Sequence, residues 1–151
     1  MPVITVAQPS TAPAEKVWEI MTGVDRWTET IGAIVDVKRL DGGEGFATGL
    51  RWVETRTMMG KEATEEMWVS DVDHDAHTYV VEAESHGMQY RSVLSVTRSD
   101  EGSTLSMTFA GEAQTTVAKL LALTLGKLFE GATRKALQQD LVDITAAAEQ
   151  A

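Results

Sequence analysis

The chain has 151 residues, 43% of them apolar, with no cysteine and a formal net charge of −10. That length suits one domain spanning residues 1–151, in which folding removes about 68–70% of the unfolded chain's surface from water. The missing thiols exclude disulfides, thiol nucleophiles and thiolate metal sites, and the acidic balance with scattered basic residues argues against binding nucleic acid or anionic membrane.

The opening MPVITVAQPSTAP lacks the basic and apolar regions of a signal peptide. No stretch nears the ~18 apolar residues of a spanning helix, so a cytoplasmic protein without stable membrane insertion is expected. PVITVAQ is a short strand, and PSTAP breaks it. AEKVWEIMTGVDRWTETI then repeats Val17, Trp18, Ile20 and Met21 at helical spacing until Gly23 interrupts, which predicts two short helices. From Ala33 to Glu112 six strands follow: AIVDVKRL, GLRWVETRTM, EATEEMWVSDV, HTYVVEAES, MQYRSVLSVT and STLSMTFAGE. Their separators, DGGEG, MGK, DHDA, SHG and RSDEG, carry turn residues, and loops this short make successive strands antiparallel. From about Thr116 to Ala148 one long helix is expected, with Val117, Leu121, Leu125, Leu128 and Ala132 on a stripe and Leu137, Leu141 and Ile144 continuing the apolar spacing. The layout is α+β, and the long helix has the concave face of the sheet to cover.

This order of elements resembles the helix-grip fold of the START/Bet v 1-like (SRPBCC) superfamily, and within it the polyketide cyclase/dehydrase and lipid-transport group. PAEKVWEIMTGVDRWTETI is similar to that group's first helix pair, and GLRWV and QYRSVLSV are similar to ligand-facing strand segments of the plant hormone receptors of this fold. The resemblance implies a seven-stranded curved antiparallel sheet wrapped round the C-terminal helix, two short helices after the first strand, and a cavity between sheet and helix. It covers nearly the whole chain, and it leaves function open, since the superfamily includes cyclases, lipid carriers, receptors, toxins and co-chaperones.

Alternation along the strands, read with the resemblance, assigns the cavity wall. Arg51, Val53 and Thr55 point inward on one strand, and Glu65 and Met67 on the next. Tyr79, Val81 and Ala83 follow, then Met88, Tyr90, Ser92 and Leu94, then Leu105, Met107 and Phe109. Leu121, Leu125 and Leu128 face them from the helix. Tyr90 and Ser92 carry the chemical argument: a buried polar group without a partner costs roughly 1–3 kcal/mol, so two hydroxyls on an otherwise apolar face call for fixed protein partners or for water or ligand in a cavity. The tryptophans oppose part of this phase. Trp52 and Trp68 fall on the other faces of their strands, and in the reversed register they would line the pocket with Glu54, Arg56 and Glu66.

Other signals are bland. His74 and His77, beside Asp73 and Asp75, sit in a turn that does not hold them as a metal site would, so neither metal nor cofactor is expected. Glu65 and Glu66 are strand neighbours on opposite faces and cannot act as a pair. The helix segment KLLALTLGKLFEG carries more leucine than one buried face needs, a surplus suited to a homodimer, another partner or ligand entry. Gly126 and Gly131 inside that helix call for a local reason, such as close backbone approach or a kink.

Three functions remain. The leading expectation is binding or carriage of a small hydrophobic molecule (a lipid, a polyketide or an aromatic metabolite), with Arg51, Glu65, Tyr90 and Ser92 orienting its polar end. The second is a polyketide cyclase or aromatase, with Glu65 and Tyr90 as candidate acid and base and Arg51 stabilising an enolate. The third is an interaction protein of toxin or co-chaperone type, using the apolar helix and outer tryptophans.

Overall fold

The computed structural model describes residues 3–151, apart from the side chains of residues 124, 125, 127 and 128. β1 (Val3–Ser10) leads to α1 (Ala14–Met21), a short 3-10 turn (Val24–Arg26) and α2 (Trp27–Thr30). β2 (Ile34–Arg39), β3 (Arg51–Met58), β4 (Lys61–Asp73), β5 (Thr78–Ser85), β6 (Met88–Ser99), β7 (Gly102–Ala113) and α3 (Thr116–Gln150) follow. The strands form one sheet in the order β1-β7-β6-β5-β4-β3-β2, and every pair is antiparallel. This is the expected helix-grip arrangement. Register shifts between Ile34 and Asp36 and between Val69 and Asp71 bend the strands, as bulges do.

β1 runs two residues past the expected break and includes Pro9. It is an edge strand, where a proline costs little. α3 covers that edge: Arg134 Nη1 donates to the Thr5 carbonyl at 3.0 Å and Gln138 Nε2 to the Ala7 carbonyl at 3.0 Å, which occupies carbonyls that would otherwise invite another strand.

α3 begins where Thr115 caps it, the hydroxyl accepting from Ala118 N at 3.1 Å. Its apolar surface then changes sides. At ~100° per residue, Leu121 and Leu137 lie roughly 160° apart round the helix, so the second stripe is not a continuation of the first. The core takes the second: Leu137, Leu141, Ile144 and Ala148 are buried against α1 and the sheet, together with Val17, Met21, Val69, Val96 and Leu105. Val117, Leu120, Leu121, Leu123 and Phe129 are exposed, Leu121 by 55% and Leu123 by 84%. Among the described residues, nothing lies within 4 Å of a Cβ built on Gly126 or Gly131, so the close approach expected for these glycines is absent.

The C-terminal end of α3 is tied to the β1–α1 corner. Glu149 accepts from Ser10 Oγ at 2.9 Å and Thr11 N at 3.0 Å, and buried Ser103 Oγ donates to the Ala12 carbonyl at 2.8 Å. No helix among the described residues is long and apolar enough to cross a membrane.

Candidate ligand cavity

A cavity of about 90 Å³ lies between the sheet's inner face and the buried half of α3. Trp27, Ile31 and Ile34 close one side, and Leu141 and Ile144 come from the helix. The sheet supplies Trp52, Glu54 and Arg56 from β3, Met67 from β4, Tyr79 and Val81 from β5, Ser92 and Leu94 from β6, and Met107 from β7.

The phase of β3 is the reverse of that expected. Antiparallel pairing sets Trp52 opposite Met67 and Glu54 opposite Glu65, and opposed residues share a face. Met67 and Glu65 therefore point inward with Trp52, which is 1% exposed. Arg51, Val53 and Thr55 belong to the outer face. Arg51 lies over the Trp68 ring, 4.6 Å from its centroid, and pairs with Glu66, while the Thr55 hydroxyl meets Thr64 Oγ1 at 2.9 Å in exposed surroundings. The two tryptophans do not move as a set. Trp52 enters the core, whereas Trp68 stays outside because the long arginine beside it shields its ring.

On the other strands the expected phase matches the inner face. Tyr79, Val81, Ser92, Leu94, Met67 and Met107 line the cavity, while Ala83 and Leu105 are buried. Tyr90, Met88 and Phe109 share that face but sit outside the lining. The Tyr90 ring stacks on Phe109, with centroids 5.5 Å apart and planes at 21°, and lies across Gly111, where a Cβ would approach it to 3.2 Å. Leu121 is exposed and does not bound the cavity. The side chains of Leu125 and Leu128 lie outside the described residues.

The floor of the cavity is charged. Arg56 Nε donates to Glu54 Oε2 at 2.9 Å and Arg56 Nη1 to Asp140 Oδ2 at 3.0 Å, while Trp52 Nε1 donates to Glu54 Oε1 at 3.3 Å. Burial pushes the Asp140 carboxyl above the usual carboxylate range, more strongly than Arg56 pulls it down. Burial also works against the charge on Arg56, and Asp140 and Glu54 more than restore it, so the guanidinium remains protonated. Two buried polar atoms have no hydrogen-bond partner among the described residues, Trp27 Nε1 and Asp140 Oδ1. The sequence reading missed Asp140 altogether. Its signal was available: with Leu137, Leu141 and Ile144 it occupies the buried stripe, where an acid is out of place.

Tyr79 is a satisfied core phenol. Its hydroxyl donates to the Met21 carbonyl at 3.1 Å, and burial pushes its ionisation up. The histidine turn is also architectural. Trp18 Nε1 donates to His74 Nδ1 at 3.3 Å, so the other ring nitrogen carries the hydrogen and donates to the Phe46 carbonyl at 2.8 Å. His77 stacks on Trp18 with ring centroids 5.2 Å apart.

Glu65 stands on the inner face, half-buried, and burial followed by the charge of Glu54 raises its carboxyl above the ordinary range. A carboxyl raised by folding is penalised in its charged form, so the native state takes up the proton first and stability falls as pH rises through that window. Glu65→Gln is therefore expected to melt about 1–2 °C higher than the wild type at pH 7, the difference closing below about pH 4. Thermal melts across that range check this, and a variant less stable at neutral pH would show that the carboxylate is held by an attraction instead.

A family model described as polyketide cyclase / dehydrase and lipid transport matches residues 1–149. No curated protein matches the sequence significantly. Among solved structures, TTHA0849 from Thermus thermophilus is similar with a TM-score of 0.80 and 13% identity, over 97% of each chain. The Zhui aromatase/cyclase of a Streptomyces species, strain R1128, gives 0.79 and 16%, over 99% of this chain and 94% of that one. Norcoclaurine synthase from Thalictrum flavum gives 0.70 and 15%, again over 99% and 94%. These identities speak for the fold. With the family model spanning almost the whole chain and the helix-grip architecture around an internal cavity, the chain belongs to the polyketide cyclase/dehydrase and lipid-transport family of the Bet v 1-like superfamily.

Proposed function

We propose that this protein binds a small, mainly apolar molecule, a lipid, polyketide or aromatic metabolite, with its polar end on the floor formed by Glu54, Arg56 and Asp140. The observation that carries this reading is a cavity whose walls are apolar, at Met67, Val81, Leu94 and Met107, and whose floor holds buried polar atoms without partners among the described residues. Pockets that enclose a whole ligand usually measure ~300–1,000 Å³, so about 90 Å³ suits the polar end and the first ring or few carbons. The rest of the ligand lies toward Tyr90 and Phe109, and the methionines adapt to its shape.

The test uses N-phenyl-1-naphthylamine, an uncharged dye that brightens in apolar surroundings. The wild type is expected to bind it. Ser92→Leu, which fills the cavity beside Leu94 and Met107, is expected to weaken binding at least tenfold while the melting temperature stays within about 3 °C, because the added carbons enter space that protein does not occupy. Unfolding of the variant, or undiminished dye binding, counts against the cavity. Native mass spectrometry of the purified protein would identify a retained ligand.

A second reading, cyclase or aromatase, draws on Glu65. A half-buried carboxyl raised by burial and then by Glu54, on the same face as Tyr90, is suited to exchange a proton with a folded polyketide at the rim. The enolate-stabilising role falls away from Arg51, which faces outward. Release of an aromatic product from a reactive poly-β-ketone thioester, slowed by Glu65→Gln, would favour this reading over simple carriage.

A further inference from the structure

Two atoms of the cavity floor are complementary. Trp27, 5% exposed at the start of α2, holds its indole Nε1–H without a partner among the described residues, and Asp140, 8% exposed on α3, spends Oδ2 on Arg56 and leaves Oδ1 equally unpartnered. Both side chains line the same cavity, with Ser92. One atom can only donate. The other, on an ionised carboxylate, can only accept. A group that satisfies both must be an acceptor and a donor at once, which describes a hydroxyl.

The charge of the floor narrows the choice. Arg56 directs Nε at Glu54 and Nη1 at Asp140, and among the described residues neither lysine nor a second arginine lines the cavity. With Asp140 ionised the three charged groups sum to −1, and with it protonated they sum to zero. Neither state leaves a cation among these three groups free for an anionic ligand, and a ligand carboxylate at Asp140 Oδ1 would place two negative groups side by side in a water-poor site.

We infer that the floor selects a neutral hydroxyl head group, a phenol or an alcohol, that accepts from Trp27 Nε1–H and donates to Asp140 Oδ1, and that it rejects carboxylates such as free fatty acids. This inference rests on the cavity reading proposed above and gives it a ligand class.

The test is a matched pair, 2-naphthol and 2-naphthoate, titrated at pH 7 against the dye-loaded protein. The wild type is expected to bind the naphthol at least tenfold more tightly. The Trp27 Nε1–H resonance, identified by its loss in Trp27→Phe, should move with naphthol. In Asp140→Asn the amide oxygen remains toward Arg56 and the NH₂ turns inward, so the floor presents two donors. The ratio of affinities should then shift at least tenfold toward naphthoate. Should that variant fail to fold, Trp27→Phe carries the test: loss of the donor should weaken naphthol binding roughly fivefold or more while dye binding is retained, and an unchanged naphthol affinity overturns the inference. Naphthoate binding as well as naphthol, or dye that neither probe displaces, overturns the inference and leaves the cavity reading intact. Absence of dye binding to the wild type overturns both.

Discussion

Arg56→Met is expected to lower the melting temperature by roughly 6–20 °C, at 2–4 °C per kcal/mol for a loss of about 3–5 kcal/mol. The methionine preserves most of the apolar stem and removes the charge. Glu54 and Asp140, both buried, would then face each other's field with no cation between them, and an uncompensated buried charge is far costlier than the loss of a surface ion pair. Two further measurements isolate that cause. Without the guanidinium nothing offsets the burial that already raises the Asp140 carboxyl, so the native variant takes up that proton before the unfolded chain does and should regain stability as pH falls from 7 toward 5. Replacing all three residues, as Glu54→Gln, Arg56→Met and Asp140→Asn together, should recover most of the loss, since no unpaired charge remains. A single variant that melts within 2 °C of the wild type would mean that water already solvates the cluster.

The second large effect is expected at Gly102, which opens β7 with φ +147, a conformation open almost solely to glycine. A Cβ there would stand 2.4 Å from the Ser10 carbonyl oxygen and 2.6 and 2.7 Å from the Thr11 carbonyl group. Those atoms belong to the corner held by Glu149 and Ser103, so the backbone has little freedom to withdraw. Gly102→Ala should cost on the order of 3 kcal/mol, seen as a fall of about 6–12 °C in melting temperature. A neutral result would show that the β1–α1 corner yields easily.

Element order and strand pairing were legible because short loops leave antiparallel neighbours as the only solution. Most inward positions followed from period-two alternation. β3 failed because its face was assigned separately from that of β4, although the two are coupled by the pairing of Glu54 with Glu65. Treating Trp52 and Trp68 as a single objection hid the solution, in which one is buried and the other is covered by Arg51. The helix stripe fails for a related reason: apolar spacing along α3 continues past Leu121 while its angle round the helix drifts by roughly 160° to Leu137, so Leu121 turns away from the cavity and Asp140 faces it. The hydroxyls that opened the question of a cavity divide. Ser92 lines it, whereas the Tyr90 ring packs on Phe109 outside the lining.

The side-switch of the apolar surface along α3 divides one continuous helix into two energetic parts. Leu137, Leu141, Ile144 and Ala148 are buried with the sheet, so their turns belong to the cooperative unit that is lost only when the whole domain unfolds. The turns that carry Val117, Leu121 and Leu123 expose those side chains. Such turns open at a small fraction of the global free energy, so amide protection should decline steeply toward the helix N-terminus. The N-terminal turns of α3 can then open while the charged floor, with Asp140 buried in the other part of the same helix, stays in place.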